Sequence, residues 1–178
     1  MWLYGNKEIF AIQINRYSGF YEMFLYIEEK NILEFFYKNM QCTYRWHMIS
    51  NISDWFEKNL IHIIDDDEFP FEAKGDSAAE LCKNYFEENV DELINDMDRF
   101  ETFQNWTFRH SWFLERAGAY LPEVYFRQYR DKIEISWNSS EIFKDEGVEF
   151  KYKYGNYYID KNIFLDVIKK LIEYKNVM

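Results

Sequence analysis

Ile9-Phe10-Ala11-Ile12-Gln13-Ile14 lies in a run from Glu8 to Arg16, is followed by Tyr17-Ser18-Gly19, and is answered by a second run from Tyr21 to Glu28. Aromatic and β-branched residues favour a pleated, half-buried surface, and Ser-Gly supplies turn chemistry between the runs. Glu29-Lys30-Asn31 is read as the next turn, leading to a third run, Ile32-Leu33-Glu34-Phe35-Phe36-Tyr37. The pattern predicts an antiparallel meander with aromatic faces. Residues 38–49 are expected to hold a fourth short strand.

Outward from that meander the period changes. Ser53 is read as the cap of a helix whose apolar set is Trp55, Phe56, Leu60, Ile63 and Ile64, ending before Asp65-Asp66-Asp67-Glu68 and Pro70. Acid at a helix C-terminus opposes the macrodipole, so the acidic run is placed just outside the helix. Ser77 with Glu80 fits a capping box for a second helix with the stripe Leu81, Tyr85, Phe86, Leu93, Ile94 and Met97. A third helix from about Asp98 has Phe100, Phe103, Thr107, His110, Leu114 and Ala117 on one face and stops at Gly118. Val124–Arg127 and Ile133–Trp137 read as a hairpin, and Val148–Tyr154 and Tyr157–Ile159 around Gly155-Asn156 as another. Asp160 caps a final helix with Ile163, Phe164, Val167, Ile168, Leu171 and Ile172 inward. Strands, helices, strands and a helix in blocks, rather than in alternation, predict an α+β fold: a mostly antiparallel sheet packed with about four helices, residues 1–178 forming one domain.

Composition bounds what such a domain does. The chain has 178 residues, 21% of them aromatic, with only 6 Gly and 2 Pro, which excludes a disordered tail or a low-complexity linker. The formal charge is −11, whereas sequence-independent contact with a phosphate backbone needs clustered Lys and Arg, so no direct nucleic-acid partner is expected. The opening residues lack the basic and apolar regions of a signal peptide, and no stretch reaches the roughly 18 apolar residues of a membrane span. Cys42 and Cys82 fit no metal-binding spacing. These features together predict a cytoplasmic protein with reduced thiols and no membrane association.

The charge is segregated. Between Asp54 and Glu101 stand 16 acidic and 4 basic residues, net −12, and the remainder has 16 acidic and 17 basic, net +1. Asp65, Asp66, Asp67 and Glu68, with Glu87, Glu88, Asp91 and Glu92, are the candidate partner-binding residues. Two readings of them stand: a solvated face that aids solubility, or a docking surface whose potential complements a basic protein partner.

No catalytic set competes with these readings. There is no GxGxxG, phosphate-binding Lys loop, GxSxG or HExxH. His62 and Asp66 stand at i,i+4 with donor types suited to Mn²⁺ or Mg²⁺, but the helix is expected to end there and leave them unfixed. His110 sits on an apolar stripe without a placed nucleophile and is read as a hydrogen-bonded core histidine. Asp131 with Glu149-Phe150-Lys151 loosely imitates the acid…(D/E)xK arrangement that holds a metal and activates water. No catalytic residue, cofactor or metal is therefore expected. Tyr152, Tyr154, Tyr157 and Tyr158, with Trp106 and Trp112, are read either as interface anchors or as packing within the fold.

Two segments carry a resemblance. Gly5-Asn6-Lys7 with Phe10-Ala11-Ile12, and then Trp106, Arg109-His110-Ser111, Pro122, Phe126-Arg127 and Ile133-Glu134-Ile135-Ser136-Trp137, are similar to immunity-type proteins of bacterial polymorphic toxin systems. Together they cover about a third of the chain, and no residue role is carried over from them. The resemblance implies a small cytosolic, non-enzymatic protein that binds one toxin and blocks its active site. Joined to the acidic face, it makes a nuclease-type toxin the expected partner. The alternatives are a phage-encoded DNA-mimic inhibitor of a host defence nuclease and a metal-dependent hydrolase using Asp131, Glu149 and Lys151.

Overall fold

The computed structural model describes residues 1–47, 50–65 and 68–175. Among these the chain runs β1 (Trp2–Asn6), β2 (Phe10–Tyr17), β3 (Phe20–Ile27), β4 (Lys30–Asn31), β5 (Phe35–Tyr37), β6 (Met40–Cys42) and β7 (Tyr44–Trp46). Then come α1 (Ser50–Ile64), α2 (Ala78–Asn95), α3 (Met97–His110), β8 (Val124–Tyr129), β9 (Lys132–Asn138), β10 (Val148–Phe150), β11 (Tyr154–Asp160) and α4 (Lys161–Lys175). The fold is α+β with antiparallel sheets.

The first two runs form the expected antiparallel pair, and its period of two places Phe10, Ile12 and Ile14 of β2 and Met23, Leu25 and Ile27 of β3 in the core. A first strand, β1, adds to it by pairing Trp2 with Ile14 and Asn6 with Phe10. The third run does not extend it: Ile32 to Glu34 lie outside any strand, and Phe35–Tyr37 pairs with β6 and β10 in a separate sheet, because β4 and β7 take the free edge of β3. The turn after β3 falls at Glu28-Glu29, both at positive φ, rather than one residue later, because Ile27 pairs with Lys30. The ambiguous residues 38–49 contribute β6 and β7, which belong to different sheets: β6 pairs with β5, and β7 with β3.

The second C-terminal hairpin does not form. Val148–Phe150 pairs instead with β5, and Tyr154–Asp160 pairs along the whole of β9, from Tyr154 opposite Asn138 to Asp160 opposite Lys132. Gly155 and Asn156, read as a turn, are interior positions of β11. The glycine is there for space. A Cβ at residue 155 would lie 2.2 Å from the Trp137 ring, which packs over that bare backbone.

The main core draws on both strand blocks. Phe10, Leu25, Phe56, Trp112, Phe126, Ile135, Phe164 and Ile168 belong to one buried cluster, so the first sheet, the β8–β9–β11 sheet, α1 and α4 share an interior. Asp160 caps α4 by accepting from the Asn162 amide at 2.8 Å. Ser53, by contrast, is not a cap: α1 starts at Ser50, and the Ser53 hydroxyl donates to the Ser50 carbonyl at 3.0 Å. The third helix stops at His110, short of the expected Gly118, and Leu114 is 55% exposed in the 3₁₀ turn Phe113–Arg116.

Candidate partner-binding surface

α2 is the element that presents most of the candidate acids, and its orientation is set from below by β9. The first amides of a helix have no intrahelical acceptor. Here Ala78 N–H donates to Glu134 Oε1 at 2.6 Å, Ala79 N–H to Ser136 Oγ at 3.2 Å, and Glu80 N–H to Ser77 Oγ at 3.3 Å. Glu80 closes the predicted box one residue early, accepting from the Asp76 amide at 2.9 Å. Glu134 is fully buried and accepts a second bond from Arg127 Nε at 2.8 Å. The cation and the helix N-terminus together compensate the buried carboxylate.

A satellite core then holds α2 and α3 together. It comprises Ala78, Ala79, Cys82, Tyr85, Leu93, Phe103, Trp106 and Tyr125, with Phe69 and Phe71 against it. Asn89 interrupts α2 with non-helical backbone (φ −127°, ψ 18°), and its amide donates to the Tyr85 carbonyl at 2.9 Å. Asp96 joins the helices by ending α2 and capping α3, where it accepts from the Arg99 amide at 3.1 Å.

Glu87, Glu88, Asp91 and Glu92 are all exposed on α2, as the spacing predicted. Their charge is partly met by cations: Lys83 stands 3.9 Å from Glu87, Lys74 stands 4.0 Å from Glu88, and Arg99 pairs with Glu92. Asp91 forms no ion pair among the described residues. Pairs this exposed contribute little and open readily to a competing charge. Of the other acidic run, Asp65 and Glu68 are exposed, and Asp66 and Asp67 lie outside the described residues. Glu68 lines a groove with Arg127–Arg130, at the turn of the β8–β9 hairpin. Glu87 lines a cavity with Asn138 and Ser140, at that hairpin's other end, so Glu68 and Glu87 do not form one local set.

Sequence reasoning missed the apolar part of this surface. Ile94 and Met97, assigned to the inward stripe, are 74% and 66% exposed. Phe86 and Val90 are exposed too, so exposed apolar side chains stand beside the acids on both sides of the Asn89 interruption, Phe86 before it and Val90 and Ile94, four residues apart, after it. The reason is one of number: α2 carries more apolar residues than a single inward face holds, and Cys82, Tyr85 and Leu93 fill that face. Recurrence at i, i+4 and i+8 was the signal available for a second stripe.

The expected aromatic anchors separate into two groups. Trp106 and Trp112 are buried and cannot serve; Trp112 donates its indole N–H to the Pro122 carbonyl at 3.2 Å. Tyr154 is widely exposed, while Tyr152, Tyr157 and Tyr158 are half-buried. Of the two aromatics on the acidic helix, Tyr85 is buried and Phe86 is exposed.

The histidine and hydrolase candidates are also located. His110 is fully buried, stacked on Trp106 with centroids 4.0 Å apart, and its Nδ1 donates to the Trp106 carbonyl at 2.8 Å. Asp131 stands in the β8–β9 turn, while Glu149 pairs with Lys153 and Lys151 with Glu34, each at 2.7 Å. The strands joined by the Asp131 turn and the strand that carries Glu149 belong to different sheets. Among the described residues no three His, Cys, Asp or Glu side chains gather to hold a metal, and no helix is long and apolar enough to cross a membrane. Compared with known proteins, the chain matches no family model, no curated protein and no solved structure.

Proposed function

We propose that this chain is a non-enzymatic binding protein that neutralises a basic protein partner, a nuclease-type toxin, by docking the outward face of α2 onto it. The observation that carries the reading is the presence, on one element, of the exposed apolar side chains Phe86, Val90 and Ile94 among Glu87, Glu88, Asp91 and Glu92. Exposed apolar side chains are unfavourable in water and are stabilised when covered. Acids beside them favour a cationic cover and speed its approach. A merely solvated face accounts for the acids and leaves the exposed apolar side chains unexplained.

The test has two steps. A tagged full-length chain is used to capture proteins from its source cells under washes of rising salt, and the captured protein is then purified for binding kinetics. Reversing Glu88 and Asp91 to Lys should slow association and flatten its salt dependence. Ile94→Ser with Met97→Ser should speed dissociation. A captured partner indifferent to both pairs of changes would place the binding surface elsewhere, and capture of no basic protein would remove the reading.

A further inference from the structure

A cavity of about 330 Å³ opens between α2, α3 and the segment that follows β9. That is at the small end of sites that take a separate ligand, which span roughly 300–1,000 Å³. Its walls are apolar: Phe86 and Phe103 stand with centroids 6.2 Å apart and planes 25° from parallel, joined by Ile142. Its charged groups are mostly carboxylates, Glu123, Glu87 and Glu141, against one ammonium, Lys83, beside the neutral Thr107, Asn138 and Ser140. Tyr125, 4% exposed, donates its hydroxyl to Glu123 Oε1 at 2.6 Å, which fixes that carboxylate at the cavity wall.

We propose that this cavity receives an arginine side chain of the partner, its guanidinium at Glu123 and its stem against Phe86 and Phe103. The proposal rests on the docking reading above, since Phe86 and Glu87 belong both to the cavity and to the α2 face. Guanidinium is the cation that suits it. It is planar, stacks on aromatic faces and pairs with carboxylate through a fork of donors, while being less strongly hydrated than ammonium. Burial raises the Glu123 carboxyl above its usual range, with the Tyr125 hydrogen bond and the charge of Arg116 opposing the shift, and a cation beside it favours its charged form further. Lys83 and Lys144, which pair with Glu87 and Glu141, are exposed and can swing away.

The experiment titrates the full chain with butylguanidinium and, separately, with the uncharged 1-pentanol, read by amide NMR shifts. Butylguanidinium should give saturable shifts at Phe86, Phe103, Tyr125 and Ser140, and should bind about tenfold more tightly than pentanol. Glu123→Gln should remove that preference, and Phe86→Ala, at an exposed position, should weaken both probes. Equal binding of the two probes, or shifts centred elsewhere, would overturn the proposal. Because the probe needs no partner, the two readings separate. Probe binding with no basic partner captured defeats the docking reading and, with it, the partner as the source of the arginine. A partner captured through Glu88 and Asp91 that Glu123→Gln leaves unaffected defeats the arginine proposal alone.

Discussion

Glu134 accepts from the Ala78 amide at 2.6 Å, a contact between the middle of β9 and the first turn of α2 across 56 residues of chain. It fixes where α2 begins over the sheet, and hence which way its acidic and apolar faces point. Arg127 holds the other oxygen of the same carboxylate at 2.8 Å. Sheet, helix and ion pair meet in one buried side chain.

Glu134→Ala should therefore destabilise the chain by about 3–5 kcal/mol, because it strands Arg127 as an uncompensated buried cation. Ser136→Ala, which removes only the neutral cap of Ala79, should cost about 1 kcal/mol. Urea unfolding of both variants checks the ratio. Equal effects would mean that the carboxylate acts as no more than a cap.

Gly155→Ala should destabilise by about 1–3 kcal/mol through overpacking against Trp137. Residue 155 is not among the glycines at positive φ, so the penalty is one of space. Trp137→Leu should recover part of it in the double variant, although it is destabilising alone. A double-mutant cycle in thermal or urea unfolding measures the coupling. Simple additivity would contradict the contact.

The two thiols should behave differently. Cys82 is buried and its thiol is pushed up to about 12, mainly by burial, whereas Cys42 is half-buried. Ellman's reagent at about pH 8 should label one thiol of the folded chain promptly and the second only on unfolding. Cys42→Ser should abolish the fast phase.

Glu123 should leave a signature in the pH dependence of stability. Burial raises its carboxyl above the ordinary value of 4.5, with the Tyr125 hydrogen bond and the charge of Arg116 opposing the shift. An acid raised on folding binds more protons folded than unfolded between its two values, so stability falls as pH rises through that window. Glu123→Gln keeps an acceptor for Tyr125 and removes the titration. Relative to the unaltered chain it should be near neutral at about pH 4 and more stable at about pH 8. Comparing the two chains cancels the contribution of Glu115, also raised by burial. An unchanged difference across pH would show that the carboxyl is well solvated.

Local chemistry was legible in the sequence wherever the structure depends on neighbours along the chain. The period of two in Phe10–Ile14, the Ser77–Glu80 pair, the Asp160 cap and the inward stripe of α4 at Phe164, Val167, Ile168, Leu171 and Ile172 each act within a few residues, and each is found; only Ile163, expected on that stripe, is exposed. The exposure of Glu87, Glu88, Asp91 and Glu92 was legible for the same reason, since a solvated charge needs no distant partner. Tertiary structure alone decided the rest. Gly155 looks like a turn until Trp137, on the neighbouring strand, is seen to need the missing side chain. Ile94 and Met97 look like core until Tyr85, Leu93 and Phe103 are seen to have filled it. Glu134 carries no mark in the sequence that it will cap a helix 56 residues earlier. Periodicity records which side chains prefer burial; the competition for limited interior volume, settled only when distant segments meet, determines which of them are buried.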